Sequence, residues 1–256
     1  MCRWLTYKGD PIFLEDLIYK PDHSLIDQSL RAMEAKVPTN GDGFGIGWYG
    51  DRDLPGLYRE VLPAWNDSNL RSLAHQISSP LFFAHVRAST GTETVRSNCH
   101  PFAHQKWLFM HNGQIGNYMG FRRRLEAHIP DTLYAFRQGT TDSEILFYLL
   151  LAHDLDKDPL CAINKTLSLV RHVMEESEAP SLFRCTAALS DGKSLYAIRY
   201  SSDDKPPSLY YAAEGDRIVV VSEPLDDVAD NWEPVPAGHL LQVHEAKAPV
   251  VMPLDS

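Results

Sequence analysis

The stretch FRCTAALSDGKSLYAIRYS, residues 183–201, limits the folds open to this chain more than any other. Two runs rich in strand formers flank Asp191-Gly192, a dipeptide that supplies the backbone of a tight hairpin. A hairpin means antiparallel pairing. SLYYAAE, RIVVVSE and HLLQVHE follow as further short strands. Upstream, SPLFFAHVR and KWLFMHN are short apolar runs rich in aromatics that read as buried strands, and FGIGWY reads as another. Helices are predicted between these strand-rich parts: TTDSEILFYLLLAHDL, polar then strongly apolar, and residues 159–177. This segregation predicts an α+β fold with antiparallel sheet rather than a wound parallel sheet.

Three more helices follow from pattern. HSLIDQSLRAMEAK carries Leu25, Ile26, Leu30 and Met33 at helical spacing, DSNLRSLAHQI opens on Asp67 or Ser68 as N-cap, and NYMGFRRRLEAHI is amphipathic. Five of the fifteen glycines fall within ten residues of TNGDGFGIGWYG, which implies tight turns or close backbone approach. With no internal repeat, low-complexity tract or linker, residues 1–256 read as one domain, long enough to bury a substantial core.

Composition excludes several classes of function. The net charge is −10 and the longest basic run is Arg122-Arg123-Arg124 on the amphipathic helix, so no nucleic-acid partner is expected. No apolar run approaches membrane-spanning length, and MCRWLTYKGDP lacks the apolar core of a signal peptide; the expectation is a cytoplasmic protein with no membrane partner. The four cysteines (Cys2, Cys99, Cys161, Cys185) form no CxxC pair. Cys99, His100 and His104 lie close together but lack a further ligand, so neither a metal nor another cofactor is expected.

Four polar islands interrupt apolar elements: MCRW at the start, AHVRAST at 84–90, HNG at 111–113 and TTDSE at 140–144. Arg87 ends a strand too apolar to host a charge without a carboxylate partner, from protein or from ligand. Read singly, each island has a structural explanation: an Arg87–Asp142 salt bridge, an Asn112-Gly113 turn, and Asp142 as a helix cap. Read together, they supply a nucleophile, an anion-binding arginine, oxyanion donors and an ammonium-binding aspartate.

That ordered set resembles the class II glutamine amidotransferases, whose glutaminase domain belongs to the N-terminal nucleophile hydrolases. The resemblance runs from Cys2 to about Leu151 and is joined by SEPL…WEPVPAGHLL near the C-terminus; the nearest subgroup is the free-standing proteins with an MCR start, which includes γ-glutamyl hydrolases of thiol metabolism. It implies a four-layer αββα sandwich of two antiparallel sheets between helical layers. It also implies that Cys2 is the nucleophile, that Arg87 binds the substrate α-carboxylate, and that Asp142 holds the α-ammonium. Asn112 by its side-chain amide and Gly113 by its N–H would form the oxyanion hole. NGDGFGIGW at 40–48 and NCHPF at 98–102 match loops that shape the pocket.

The chemistry fits these residue types. An amide carbon is a poor electrophile, so hydrolysis is split through a thioester. Once Met1 is removed, the Cys2 α-amine, titrating at about 7.7–8.0 in simple peptides, can relay the thiol proton. His85, His100 and His111 are then expected as supports of the motif loops rather than as a catalytic base. Ser89, Thr90 and the Gly91 turn are expected to add contacts to the substrate carboxylate. Ala88 stands where several synthase-linked relatives carry a bulky aromatic, leaving room for γ-glutamyl leaving groups larger than ammonia. The favoured reading is hydrolysis of glutamine or another small γ-glutamyl compound. The alternatives are a glutaminase subunit feeding ammonia to a separate synthase partner, and a non-catalytic amino-acid sensor.

Overall fold

The computed structural model describes residues 2–34, 39–89, 91–177, 181–203, 205–244 and 248–255. Its strands are β1 (Arg3–Phe13), β2 (Phe44–Tyr49), β3 (Gly56–Glu60), β4 (Ser78–Val86), β5 (Phe102–His104), β6 (Trp107–Ile115), β7 (Phe183–Ser190), β8 (Leu195–Ser201), β9 (Tyr210–Glu214), β10 (Arg217–Val221), β11 (Glu233–Pro234), β12 (His239–Val243) and β13 (Val250–Pro253). The helices are α1 (Glu15–Ile18), α2 (Leu25–Leu30), α3 (Ser68–Gln76), α4 (Tyr118–Glu126), α5 (Asp131–Tyr134), α6 (Asp142–Ala152) and α7 (Pro159–Glu175).

The strands form two antiparallel sheets. One has the order β11-β9-β10-β1-β4-β2-β3 and the other β13-β12-β8-β7-β6-β5. Side-chain alternation along each central strand then dictates the layering. On β4, Leu81 and Phe83 point one way into a core shared with Leu108 and Met110 of β6 and Ala188 of β7. Phe82, Ala84 and Val86 point the other way, against Leu17 and Ile18 of α1, Leu25 of α2 and Leu70 of α3. On the second sheet, Phe109, Ile115 and Phe183 face Phe147 and Leu149 of α6 and Ile163 and Val170 of α7. The result is helices, sheet, sheet, helices: the αββα sandwich that the resemblance implied.

The Asp191-Gly192 hairpin joins β7 to β8 with Ser190 opposite Leu195. Two sequence expectations need correction. The helix drawn through Met33 stops at Leu30 as α2, because the N–H groups of Met33 and Glu34 donate instead to the Glu223 carboxylate. Asn112-Gly113 does not end its strand; β6 continues to Ile115, paired with β7 throughout. Strand β1 was not foreseen, since Lys8-Gly9-Asp10-Pro11 breaks its apolar pattern, and its register with β4 shifts between Lys8 and Ile12. No helix among the described residues is long and apolar enough to cross a membrane.

Candidate active site

Register places the site. On β1 and β4, Arg3 pairs with Val86, so the next pair outward brings Cys2 beside Arg87. The contact is tight: Cys2 Sγ accepts from the Ala88 N–H at 3.5 Å and donates to the Ala88 carbonyl at 3.6 Å. On the other side of β4, Phe44 pairs with Val86, and the Arg87 N–H donates to the Gly43 carbonyl at 2.8 Å. Gly43 has φ +107°, and a Cβ there would lie 2.6 Å from Cys99 Sγ, so glycine is required for this approach.

Cys2, Arg87, Asn112, Gly113 and Asp142 all line one cavity of about 250 Å³. Thr90 lies outside the described residues. The Cys2 thiol is half-buried. Burial pushes its pKa up, against the opposing pull of the Ala88 hydrogen bond and the Arg87 and Arg3 charges.

Arg87 is 3% exposed. Its Nη1 donates to the Asp42 carbonyl at 3.1 Å, and its Nη2 donates to Thr92 Oγ1 at 2.6 Å, Ser89 Oγ at 3.2 Å and the Glu93 carbonyl at 3.3 Å. All four acceptors are neutral. The salt bridge to Asp142 that would have explained both residues does not form. Asp142 accepts instead from the Ile115 N–H at 2.8 Å and the Ser143 N–H at 2.9 Å. Nor does Asp142 cap α6. Thr141 does, its hydroxyl accepting from the Glu144 N–H at 3.1 Å, which leaves the Asp142 carboxylate at the cavity wall. One buried cation and one carboxylate thus line the same cavity, each without an ionic partner among the described residues.

Asn112 is 1% exposed and its carbonyl accepts from Thr186 Oγ1 at 2.9 Å. Its side-chain Nδ2 is buried with no hydrogen-bond partner among the described residues, which costs about 1–3 kcal/mol for an amide left unpaired. Gly113 follows at a close backbone crossing, where a Cβ would stand 1.9 Å from the Arg184 carbonyl oxygen.

The three histidines support the walls. His111 Nδ1 lies 2.8 Å from Ser143 Oγ and its Nε2 3.3 Å from the Arg184 carbonyl; His85 Nε2 lies 3.3 Å from the His111 carbonyl. The His85 and His100 rings pack with centroids 4.2 Å apart, tilted by 31°. Burial drives all three pKa values down, that of His85 to about 3, so the rings are neutral at physiological pH. None is hydrogen-bonded to Cys2 among the described residues.

Sequence reasoning missed Asp42, Thr92, Gln114 and Arg184. Asp42 holds both the Arg87 guanidinium and, through its carboxylate, the Ser89 N–H at 2.7 Å. Gln114 and Arg184 also line the cavity and are directly paired across β6 and β7. Strand alternation puts Gln114 on the same face as Asn112, one pleat further on. A polar residue two places beyond a site residue on a strand was the available signal.

Two antiparallel sheets between helical layers, with a cysteine entering a central strand, make the N-terminal nucleophile hydrolase fold. Glutamine phosphoribosylpyrophosphate amidotransferase from B. subtilis shares it: TM-score 0.69 at 16% identity, over 99% of this chain and 49% of that one. A glutamine aminotransferase class-II domain protein from Silicibacter pomeroyi superposes over the whole of both chains, with TM-score 0.79 and 38% identity. Residues 21–212 match the family model for class-II glutamine amidotransferases. The probable glutamine amidotransferase DUG3 of Saccharomyces cerevisiae is 36% identical over 95% of this chain and 82% of its own length. The γ-glutamyl-hercynylcysteine sulfoxide hydrolase of Mycolicibacterium smegmatis is 29% identical over 99% of this chain and all of its own. The chain belongs to the class II glutamine amidotransferases.

Proposed function

We propose that this protein hydrolyses the γ-amide bond of glutamine or of another small γ-glutamyl compound, with Cys2 as nucleophile. The observation that carries the reading is the pair of opposite charges without ionic partners among the described residues, Arg87 and Asp142, in the cavity that also holds Cys2. A free amino acid head group brings one carboxylate and one ammonium, and would neutralise both.

In this reading Cys2 Sγ attacks the γ-carbonyl carbon while its proton passes to the α-amine exposed by loss of Met1. The carbonyl oxygen takes up negative charge facing Asn112 Nδ2 and the Gly113 N–H. The intermediate then expels the nitrogen, which leaves as ammonia or an amine carrying the relayed proton. Water adds to the resulting γ-glutamyl thioester, releasing glutamate and restoring the thiol. His85, His100 and His111 are made weak bases by burial and none is hydrogen-bonded to Cys2 among the described residues, which favours the α-amine as the base. The kinship with a γ-glutamyl-hercynylcysteine sulfoxide hydrolase supports leaving groups larger than ammonia.

The test is glutamate release from L-glutamine and from γ-glutamylcysteine, on protein whose intact mass shows Met1 removed. Turnover that vanishes in Cys2→Ala is the expected result. Turnover that survives that substitution refutes the nucleophile assignment. Absence of turnover on either substrate, with Cys2 free, turns the reading to the sensor or to the partner-dependent subunit.

A further inference from the structure

The β1–β10 register pairs Leu5 with Val221. Two steps outward, the same count sets Arg3 opposite Glu223. Both side chains are buried, at 0% and 2% exposure, and Arg3 Nε lies 2.7 Å from Glu223 Oε2. Arg3 Nη1 also donates to the Cys2 carbonyl oxygen at 3.1 Å. The carboxylate is fixed from its far side. Its Oε1 accepts from the Met33 N–H at 2.8 Å and lies 2.6 Å from His23 Nε2; its Oε2 accepts from the Glu34 N–H at 3.0 Å. Burial raises the Glu223 pKa, but these hydrogen bonds outweigh it and hold the carboxyl below its ordinary value.

A buried ion pair is a poor stabilising device, because desolvation of both charges offsets most of their attraction and an apolar pair would fill the space as well. This pair does something an apolar pair cannot: it donates to the peptide that joins Cys2 to β1. A residue entering a strand near a chain end otherwise has a loosely held peptide plane. Fixing the Cys2 carbonyl fixes ψ of Cys2, and with it the directions of Sγ and the α-nitrogen relative to the sheet.

Resting on Cys2 as the nucleophile, we propose that the Arg3–Glu223 pair is the positioning device of the active site, holding the Cys2 peptide so that Sγ meets the γ-carbonyl at attack distance. The reacting atoms must come within about 3–3.5 Å, and a misplacement of about 1 Å costs on the order of 10²-fold.

The deciding variant is Arg3→Met with Glu223→Gln. It removes both charges together, so neither is left buried alone, and the glutamine amide oxygen still accepts from one of the Met33 and Glu34 N–H groups, the other losing its partner. Thermal unfolding establishes that it folds. The expected result is kcat at least tenfold lower with KM within about twofold, since Arg87 and Asp142 are untouched; Arg3→Lys, which keeps the charge, restores part of the loss. A folded double variant with wild-type kcat overturns the proposal, as does a loss that merely tracks the folded fraction. Labelling by a glutamine-shaped diazoketone reads the same attack geometry without turnover. Its rate should fall at least tenfold in the double variant while iodoacetamide labelling changes less, and equal diazoketone rates overturn the proposal. Cys2→Ala separates the two ideas: activity that survives it removes the nucleophile reading itself, whereas activity lost there but intact in the double variant removes only the positioning role.

Discussion

Replacing Asn112 by leucine should move stability and catalysis in opposite directions. Leucine has nearly the same shape as asparagine, and the Asn112 side-chain nitrogen makes no hydrogen bond among the described residues. Removing a buried, unpaired donor relieves up to about 1–3 kcal/mol. The backbone carbonyl that accepts from Thr186 Oγ1 is unaffected. For a chain of this size each kcal/mol moves Tm by about 2–4 °C, so Asn112→Leu should melt a few degrees above the wild type. In the proposed reaction the same nitrogen faces the developing oxyanion, and loss of one such donor costs about 10²–10³ in kcat, or roughly 2.7–4 kcal/mol. Glutamate release under saturating substrate, with thermal unfolding in the same buffer, reads both quantities. A variant that is less stable and retains kcat within threefold of the wild type (a margin well inside the roughly 10²-fold loss) would refute the reasoning, because the unpaired nitrogen would then be structural.

Three further outcomes follow from the contacts. Arg87→Lys keeps the charge but not the fork that satisfies four neutral acceptors, so KM for the γ-glutamyl substrate should rise by about one to two orders of magnitude with kcat little changed, as steady-state kinetics would show. Gly113→Ala forces a Cβ to 1.9 Å from the Arg184 carbonyl; β6 and β7 must part locally, and a urea titration should show destabilisation of about 1–3 kcal/mol. For His23, burial lowers the pKa, but the hydrogen bonds to Glu223 and Asp27 outweigh it and hold it above 6.5. Its contribution to stability is therefore full below pH 6.5 and lost as pH rises through the raised value. Tm measured at about pH 5.5 and about pH 8.5 should fall between them in the wild type by more than in His23→Gln.

Fold class was legible because the hairpin at Asp191-Gly192 and the strongly apolar α6 are local signals. The layering rested on resemblance, since nothing local tells which face of β4 meets a second sheet. Cys2, Arg87, Asn112, Gly113 and Asp142 could be named as a set, yet the role of α6 at the site turned on one residue. Thr141 and Asp142 are both competent caps, and only the three-dimensional contacts give the cap to Thr141 and leave Asp142 at the cavity. Glu223 was missed for a different reason. The argument that flagged Arg87, a charge ending an apolar strand, applies equally to RIVVVSE. Its partner, however, stands 220 positions away, and no periodicity links residues at that separation. Strand β1 hid its interior character behind Lys8-Gly9-Asp10-Pro11.

The two sheets divide the site between them. Cys2 and Arg87 extend from strands of the first, whereas Asn112 and Gly113 belong to the second, and Asp142 begins the helix packed on the second sheet's outer face. The distance from the Cys2 sulfur to the proposed oxyanion donors is therefore set by the thickness of the apolar filling between the sheets, made by Trp4, Phe83, Leu108 and Met110. Those side chains act as a spacer gauge. A methylene added or removed there would retune that gap, so that in the proposed reaction catalytic precision becomes a property of the hydrophobic seam.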